Sequence, residues 1–193
     1  MWDFPKTLVE TEHGSIPEGW QICRISDVMD LKYGKALKSE DRTEGGDFSV
    51  YGSNGIVGYH DEKLVDGPGI VIGRKGNAGT VEWAPGDFFP IDTTFYVVKD
   101  KEKNIPLEFL YFALSNARLP WYAADTAVPG INRNVILQLP IVIPPKSIME
   151  QFSSLARCVL EISANITHRE ALLSEIENRM APRLINDAEQ VSN

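Results

Sequence analysis

Apolar residues follow two regimes along this chain, and the switch between them is abrupt. Up to Pro144-Pro145, short apolar runs alternate with Gly, Pro, Asn and Asp; beyond it no glycine occurs and apolar residues recur at helical spacing. The first regime predicts strands and loops, with strands at 20–25, 69–72, 80–83, 94–98 and 139–143. One helix falls among them. Pro106 suits a first helical position, Leu107, Leu110, Tyr111, Leu114 and Arg118 recur at steps of three and four, and Pro120 stops the run.

The second regime is a single long helix. Ser147 with Glu150 three residues later forms a capping box, directly after two prolines that no helix interior accepts. Ile148, Phe152, Leu155, Val159, Ile162, Ile166, Leu173, Ile176 and Met180 then alternate in steps of four and three, skipping one step at Arg169. That is a heptad seam, and Pro182 is expected to end it after about 50 Å. The stripe either packs back on the globular part or meets another helix. Its narrowness favours helix-on-helix packing, hence dimerisation or a second protein. The expected fold is α+β: a mixed, twisted β-sheet domain with short helices, then one long coiled-coil helix. The sequence contains no internal repeat.

Composition narrows the classes. The 193 residues are 43% hydrophobic and 24% charged, ordinary values for a globular protein and incompatible with disorder or collagen-like repetition. No apolar window is long enough to cross a membrane, and the acidic N-terminus lacks the apolar stretch of a signal peptide. A cytoplasmic location is therefore expected. Cys23 and Cys158 are too few for a disulfide scaffold or a four-thiolate zinc site, and His13, His60 and His168 have no metal-ligand partner at helical spacing.

The net charge of −8, from 19 basic and 27 acidic residues, argues against nucleic acid when taken as an average. Locally it does not hold. Segments 67–81 and 126–149 contain no acid while carrying Arg74, Lys75, Arg133 and Lys146, and Lys32, Lys35 and Lys38 form a third basic stretch.

Catalytic signatures are missing: there is no Gly-x-Ser-x-Gly elbow, no phosphate loop and no dinucleotide fingerprint. Residues 73–79 have the wrong spacing for a phosphate loop and read as a tight turn between strands with exposed Arg74 and Lys75. What remains is a set of Gly-rich loops: 51–59 with Ser53 and Asn54, 74–77 with Arg74, Lys75 and Asn77, and 130–134 with Asn132 and Arg133. Arginine forks to guanine, asparagine to adenine, and main-chain amides in glycine turns approach phosphates closely. Asn54 and Asn77 are equally good turn formers, so turn chemistry and ligand contact both account for them. Turn geometry does not require Arg74, Lys75 or Arg133, which favours contact there.

The order of these motifs resembles a known family. Ile16-Pro17-Glu18-Gly19-Trp20 comes first, followed by the Val50-Tyr51-Gly52-Ser53-Asn54-Gly55 segment and then Ile72-Gly73-Arg74-Lys75-Gly76-Asn77. Pro129-Gly130-Ile131-Asn132-Arg133 and Ile143-Pro144-Pro145 come next, and Glu150-Gln151-Phe152 opens the helix. Together, over about residues 16–180, they resemble the specificity subunit of type I restriction–modification systems. The resemblance implies a target recognition domain at 1–145 (core 16–143), a conserved dimerisation and spacer helix at 146–181, and a tail at 182–193. Full-length members carry this unit twice in tandem, so one copy is expected to be a half-subunit.

The implied function is non-catalytic, sequence-specific recognition of double-stranded DNA, directing methyltransferase and restriction subunits to a bipartite target. The implied DNA contacts are Lys35, Lys38, Ser53, Asn54, Arg74, Lys75, Asn77, Asn132 and Arg133, and the heptad seam is the implied homodimer contact. No cofactor is expected in the chain itself; S-adenosylmethionine belongs to the methyltransferase partner. Two departures stand out: Lys146-Ser147-Ile148-Met149 lengthens the junction, and the −8 charge predicts weak DNA binding by the chain alone. A non-productive fragment acting as an interaction or inhibitory module is one alternative. A nucleotide-binding transferase is another.

Overall fold

The computed structural model describes residues 7–12, 14–100, 102–124 and 130–191, and the side chains of the last helix as far as Ile176 except at 168, 171, 174 and 175. The architecture is α+β, as expected. Its centre is an antiparallel sheet of order β4-β10-β7-β8, built from β4 (Met29–Tyr33), β7 (Gly69–Gly73), β8 (Val81–Ala84) and β10 (Thr94–Lys99). Every residue of β7 is buried, which is why it reads in sequence as an unbroken apolar run. Beside this sheet lies a three-stranded one, β6-β5-β9, in which β5 (Phe48–Gly52) pairs antiparallel with β6 (Gly55–His60) and parallel with β9 (Phe88–Pro90). A hairpin of β1 (Leu8–Thr11) and β2 (Gly14–Pro17) opens the chain, and β3 (Gln21–Arg24) pairs with the late strand β11 (Pro140–Ile143).

The predicted helix is α1 (Leu107–Asn116), which packs on β7 and β8. Pro106 occupies the N-cap rather than the first helical position, with ψ of 140°. Arg118 lies beyond the helix in the left-handed region, and Pro120 sits inside a 3-10 turn, Leu119–Tyr122. A second short helix, α2 (Arg133–Gln138), forms where the sequence reads as a loop, with Asn132 as its N-cap. The main core joins Leu31, Ile70, Ile72 and Phe95 of the sheet to Leu110 and Leu114 of α1, Ile136 of α2 and Met149.

Helix α3 (Lys146–Val191) is 46 residues long. It begins one residue before Ser147, which therefore lies inside the first turn instead of capping it. Pro145 takes the preceding place and its carbonyl accepts from Ile148 and Met149 at 3.0 and 3.1 Å. Glu150 pairs with Lys146 at 3.7 Å. The helix also runs through Pro182, where the sequence predicts its end. A proline removes one backbone hydrogen bond, and the helix formers around it (Arg183, Leu184, Ala188, Glu189) sustain the rest. No helix among the described residues is long and apolar enough to cross a membrane.

The chain divides into two compact units, Met1–Ala156 and Arg157–Asn193. The first unit thus takes in the opening turns of α3, beyond the Pro-Pro junction chosen from sequence. Here α3 buries Met149, Ser153 and Ala156, while Phe152 meets Phe109 and Phe112 of α1 edge to face at 6.2 and 5.4 Å. The predicted seam therefore splits. Ile148 and Phe152 are half-buried within the first unit, whereas Leu155, Val159, Ile162, Ile166, Leu173 and Ile176 remain between 50% and 59% exposed. The side chain of Met180 lies outside the described residues.

Glu82 of β8 is half-buried opposite Val71, and burial raises its pKa above the ordinary glutamate range. The folded state then holds this proton more tightly than the unfolded chain, so the stability it contributes falls as pH rises through the folded pKa. Glu82→Gln is expected to be more stable than the parent at pH 7 and equal to it below about pH 4, in thermal melts at both pH values.

Candidate nucleic-acid interface

Two strand turns form the site, and main-chain bonds hold them in place. In the β7–β8 turn, Gly73 N donates to Thr80 O at 2.9 Å, Gly79 N to Gly73 O at 2.8 Å and Ala78 N to Gly76 O at 2.8 Å. Thr80 Oγ1 lies 2.9 Å from the carbonyl of Ser53 and 3.0 Å from that of Asn77, which ties this turn to the β5–β6 turn. Asn77 Nδ2 donates to Asn54 Oδ1 across the same gap.

Two further segments close around the β7–β8 turn. Arg74 N and Lys75 N both donate to Thr93 O, at 2.8 and 3.2 Å, and Ile131 N donates to Arg74 O at 3.0 Å. Lys75 and Gly130 also form an isolated antiparallel bridge. The site therefore joins segments at 53–54, 74–80, 93 and 130–131, far apart in sequence: main-chain groups make the links to 93 and 131, and the side chains of Thr80 and Asn77 make those to 53–54.

The predicted contact residues divide into those that project from this frame and those the fold uses. Asn54, Lys75 and Asn77 are exposed and Ser53 is half-buried, all at the two turns. Arg74 is half-buried, not exposed as the turn predicts, because its guanidinium carbon lies over the ring of Tyr33 at 5.3 Å. Its Nε is buried without a hydrogen-bond partner among the described residues, a donor left unused by the protein. Lys35 is exposed at the edge of the group, its main-chain N bonded to Pro90 O at 3.0 Å. Lys38 is exposed too, but Glu40 answers its charge at 3.2 Å.

Asn132 and Arg133 serve the fold. Asn132 Oδ1 accepts from Asn134 N at 2.8 Å and caps α2. Arg133 donates through Nε to Leu31 O at 2.6 Å and pairs with Asp30, joining α2 to β4. A cleft of about 540 Å³ opens here, lined by Asp30, Lys32, Tyr33, Asn132, Arg133 and Asn134. Tyr33, which the sequence reading did not single out, joins the candidate site by carrying Arg74 on its ring; its signal was an aromatic set between Lys32 and Lys35.

The group offers cations for phosphates (Lys75, Lys35, Arg74), amides for base edges (Asn54, Asn77) and an aromatic platform. These are the chemical groups that a polyanion with hydrogen-bonding edges requires. Among the described residues, no three His, Cys, Asp or Glu side chains converge to hold a metal.

Comparison with known proteins gives the family and the fold. The chain belongs to the type I restriction modification DNA specificity domain family, whose model matches residues 17–169. It is 26% identical over 151 residues to the type I restriction enzyme EcoprrI specificity subunit of Escherichia coli, covering 72% of this chain and 37% of that one. It is 22% identical to the HindI specificity subunit of Haemophilus influenzae, over 95% of this chain and 46% of that one. The chain thus spans under half the length of these curated relatives. Its fold is shared with the S subunit of the M. genitalium type I restriction–modification system, with a TM-score of 0.70 at 21% identity over 78% of this chain and 41% of that one.

Proposed function

We propose that this chain is a sequence-specific DNA-recognition subunit that directs the methyltransferase and restriction subunits of a type I restriction–modification system to their target. The observation that carries the reading is the convergence of the Ser53–Asn54 and Arg74–Asn77 turns, tied together by the Thr80 and Asn77 side chains, in a chain of the specificity family. Lys75, Lys35 and Arg74 hold phosphates, and Asn54 and Asn77 reach base edges. The chain works without catalysis in the cytoplasm: methyl transfer from S-adenosylmethionine and DNA cleavage belong to its partners. Its net charge of −8 makes its own affinity modest, so the methyltransferase supplies part of the grip on DNA.

A second copy of α3 covers the exposed stripe from Leu155 to Ile176, and two antiparallel copies relate two recognition domains by a two-fold axis. Such a dimer reads an inverted repeat with a gap. Ile162→Asp, which places a charge in the middle of that stripe, is expected to convert the dimer to monomers in sedimentation. An unchanged dimer assigns the contact elsewhere.

The test is selection of bound duplexes from a random-sequence pool, with the chain alone and with a methyltransferase subunit. A gapped inverted repeat supports both recognition and two-fold pairing. Enrichment of no sequence in either arm favours the interaction-module reading, for which the exposed stripe would be the docking surface.

A further inference from the structure

Trp121 is 75% exposed, the most exposed of the large hydrophobic side chains described. Arg118, itself exposed, lies over one face of its ring with the guanidinium carbon 4.6 Å from the centroid, and pairs with no carboxylate among the described residues. Neither side chain supports the core. The backbone that carries them is nonetheless fixed by what surrounds it.

Leu119, between them, is 1% exposed, and Trp121 N and Ala123 N donate back to Arg118 O and Pro120 O at 3.0 and 3.2 Å. Arg118 takes the left-handed conformation at φ 51°, which an arginine adopts only at a cost of order 1 kcal/mol. This turn packs against Gly79 of the β7–β8 turn, and Ala124 N donates to Gly130 O at 2.8 Å, the residue bridged to Lys75. The Arg118–Trp121 pair is therefore built on the same frame as Lys75 and Asn77. An arginine stacked on one aromatic face keeps its N–H edge for an anion and leaves the opposite face of the indole for an apolar ligand.

Resting on the function proposed above, we infer that Arg118 and Trp121 form a second DNA contact. Trp121 packs its free face on a deoxyribose of the backbone flanking the bases read by the turns, and Arg118 binds the adjacent phosphate. This contact carries grip rather than sequence.

The test uses the full chain with its methyltransferase partner, the duplex that selection recovers and a scrambled duplex. Trp121→Ala is expected to weaken both duplexes by about tenfold with the salt slope unchanged, and Trp121→Phe to recover most of that loss. Arg118→Ala is expected to flatten the slope of log affinity against log salt by about one. Neither residue is buried, so melting temperatures should stay at the parent value.

Parent-like DNA binding by both variants, while changes at Arg74 and Lys75 weaken it, overturns this contact and leaves the proposed function standing. Loss of methyltransferase capture with DNA binding intact also overturns it, in favour of a protein-docking role. Absence of DNA binding by the parent itself overturns the proposed function.

Discussion

Gly79→Ala is expected to destabilise the first unit by about 2–4 kcal/mol, read as a lower urea midpoint at unchanged slope. Gly79 has φ of +87°, where a side chain costs on the order of 1 kcal/mol. The larger part comes from overlap: a Cβ there would meet the Pro120 nitrogen and come within 2.6 Å of the Leu119 carbonyl carbon. Backbone cannot swing aside as a side chain can, so the Leu119–Tyr122 turn must move off the β7–β8 turn. Gly76→Ala provides the comparison. It shares the left-handed backbone at φ +75°, but its nearest neighbour is Ser53 Oγ at 3.5 Å, so it should lose only about 1 kcal/mol. Equal midpoints for the two variants would mean that the close approach to Pro120 carries no energy.

The double change Arg74→Ala, Lys75→Ala should produce the largest functional effect. Removing two phosphate contacts flattens the slope of log affinity against log salt by about two and weakens target and non-target duplexes alike, by about 10–100-fold near 0.1 M salt. Titrations at several salt concentrations measure both quantities. Lys75→Ala alone should leave stability untouched because the side chain is exposed, whereas Arg74→Ala also gives up its packing on Tyr33. An unchanged slope removes both residues from the phosphate contacts.

The elements visible in the sequence are those whose burial is continuous or periodic. Strands β7 and β10 and helix α1 have unambiguous apolar patterns because each places buried apolar residues in the main core: Ile70 and Ile72, Phe95 and Val97, and Leu110 and Leu114. Strand β4 was invisible: it is five residues long, Asp30 and Lys32 separate its two buried residues Met29 and Leu31, and three of the five face solvent. The β5–β6 hairpin reads as a loop since Gly52, Gly55 and Gly58 dominate it, although only its two-residue tip, Ser53-Asn54, is one.

Within the candidate site, the turn sequences identified the projecting residues. What gathers them was not legible, because the Thr80 hydroxyl and the Arg74 and Lys75 amides bond to the carbonyls of Ser53 and Thr93, acceptors that any residue would supply and that no motif marks. The same limit explains Arg133. Its chemistry suits DNA, but its guanidinium is taken by Asp30 and by the Leu31 carbonyl, groups about a hundred positions earlier in the chain. The seam of α3 shows a related limit. A heptad pattern marks residues that want cover without saying what covers each. Phe152 is covered by α1, while Leu155 through Ile176 stay bare in a single chain.

The β7–β8 turn is bonded through peptide groups to itself, to Thr93 and to Ile131, and through the Thr80 hydroxyl to the β5–β6 turn, and Lys75 and Asn77 project from it without entering the core. A replacement at Lys75 leaves the scaffold's hydrogen bonds in place, and one at Asn77 gives up only its side-chain bond to Asn54. Mutation can then rewrite what the tips meet at nearly constant thermodynamic stability, one side chain at a time. For a protein of this build, divergence of binding preference is uncoupled from the risk of unfolding, and such tips can drift quickly between lineages while the strands beneath them stay fixed.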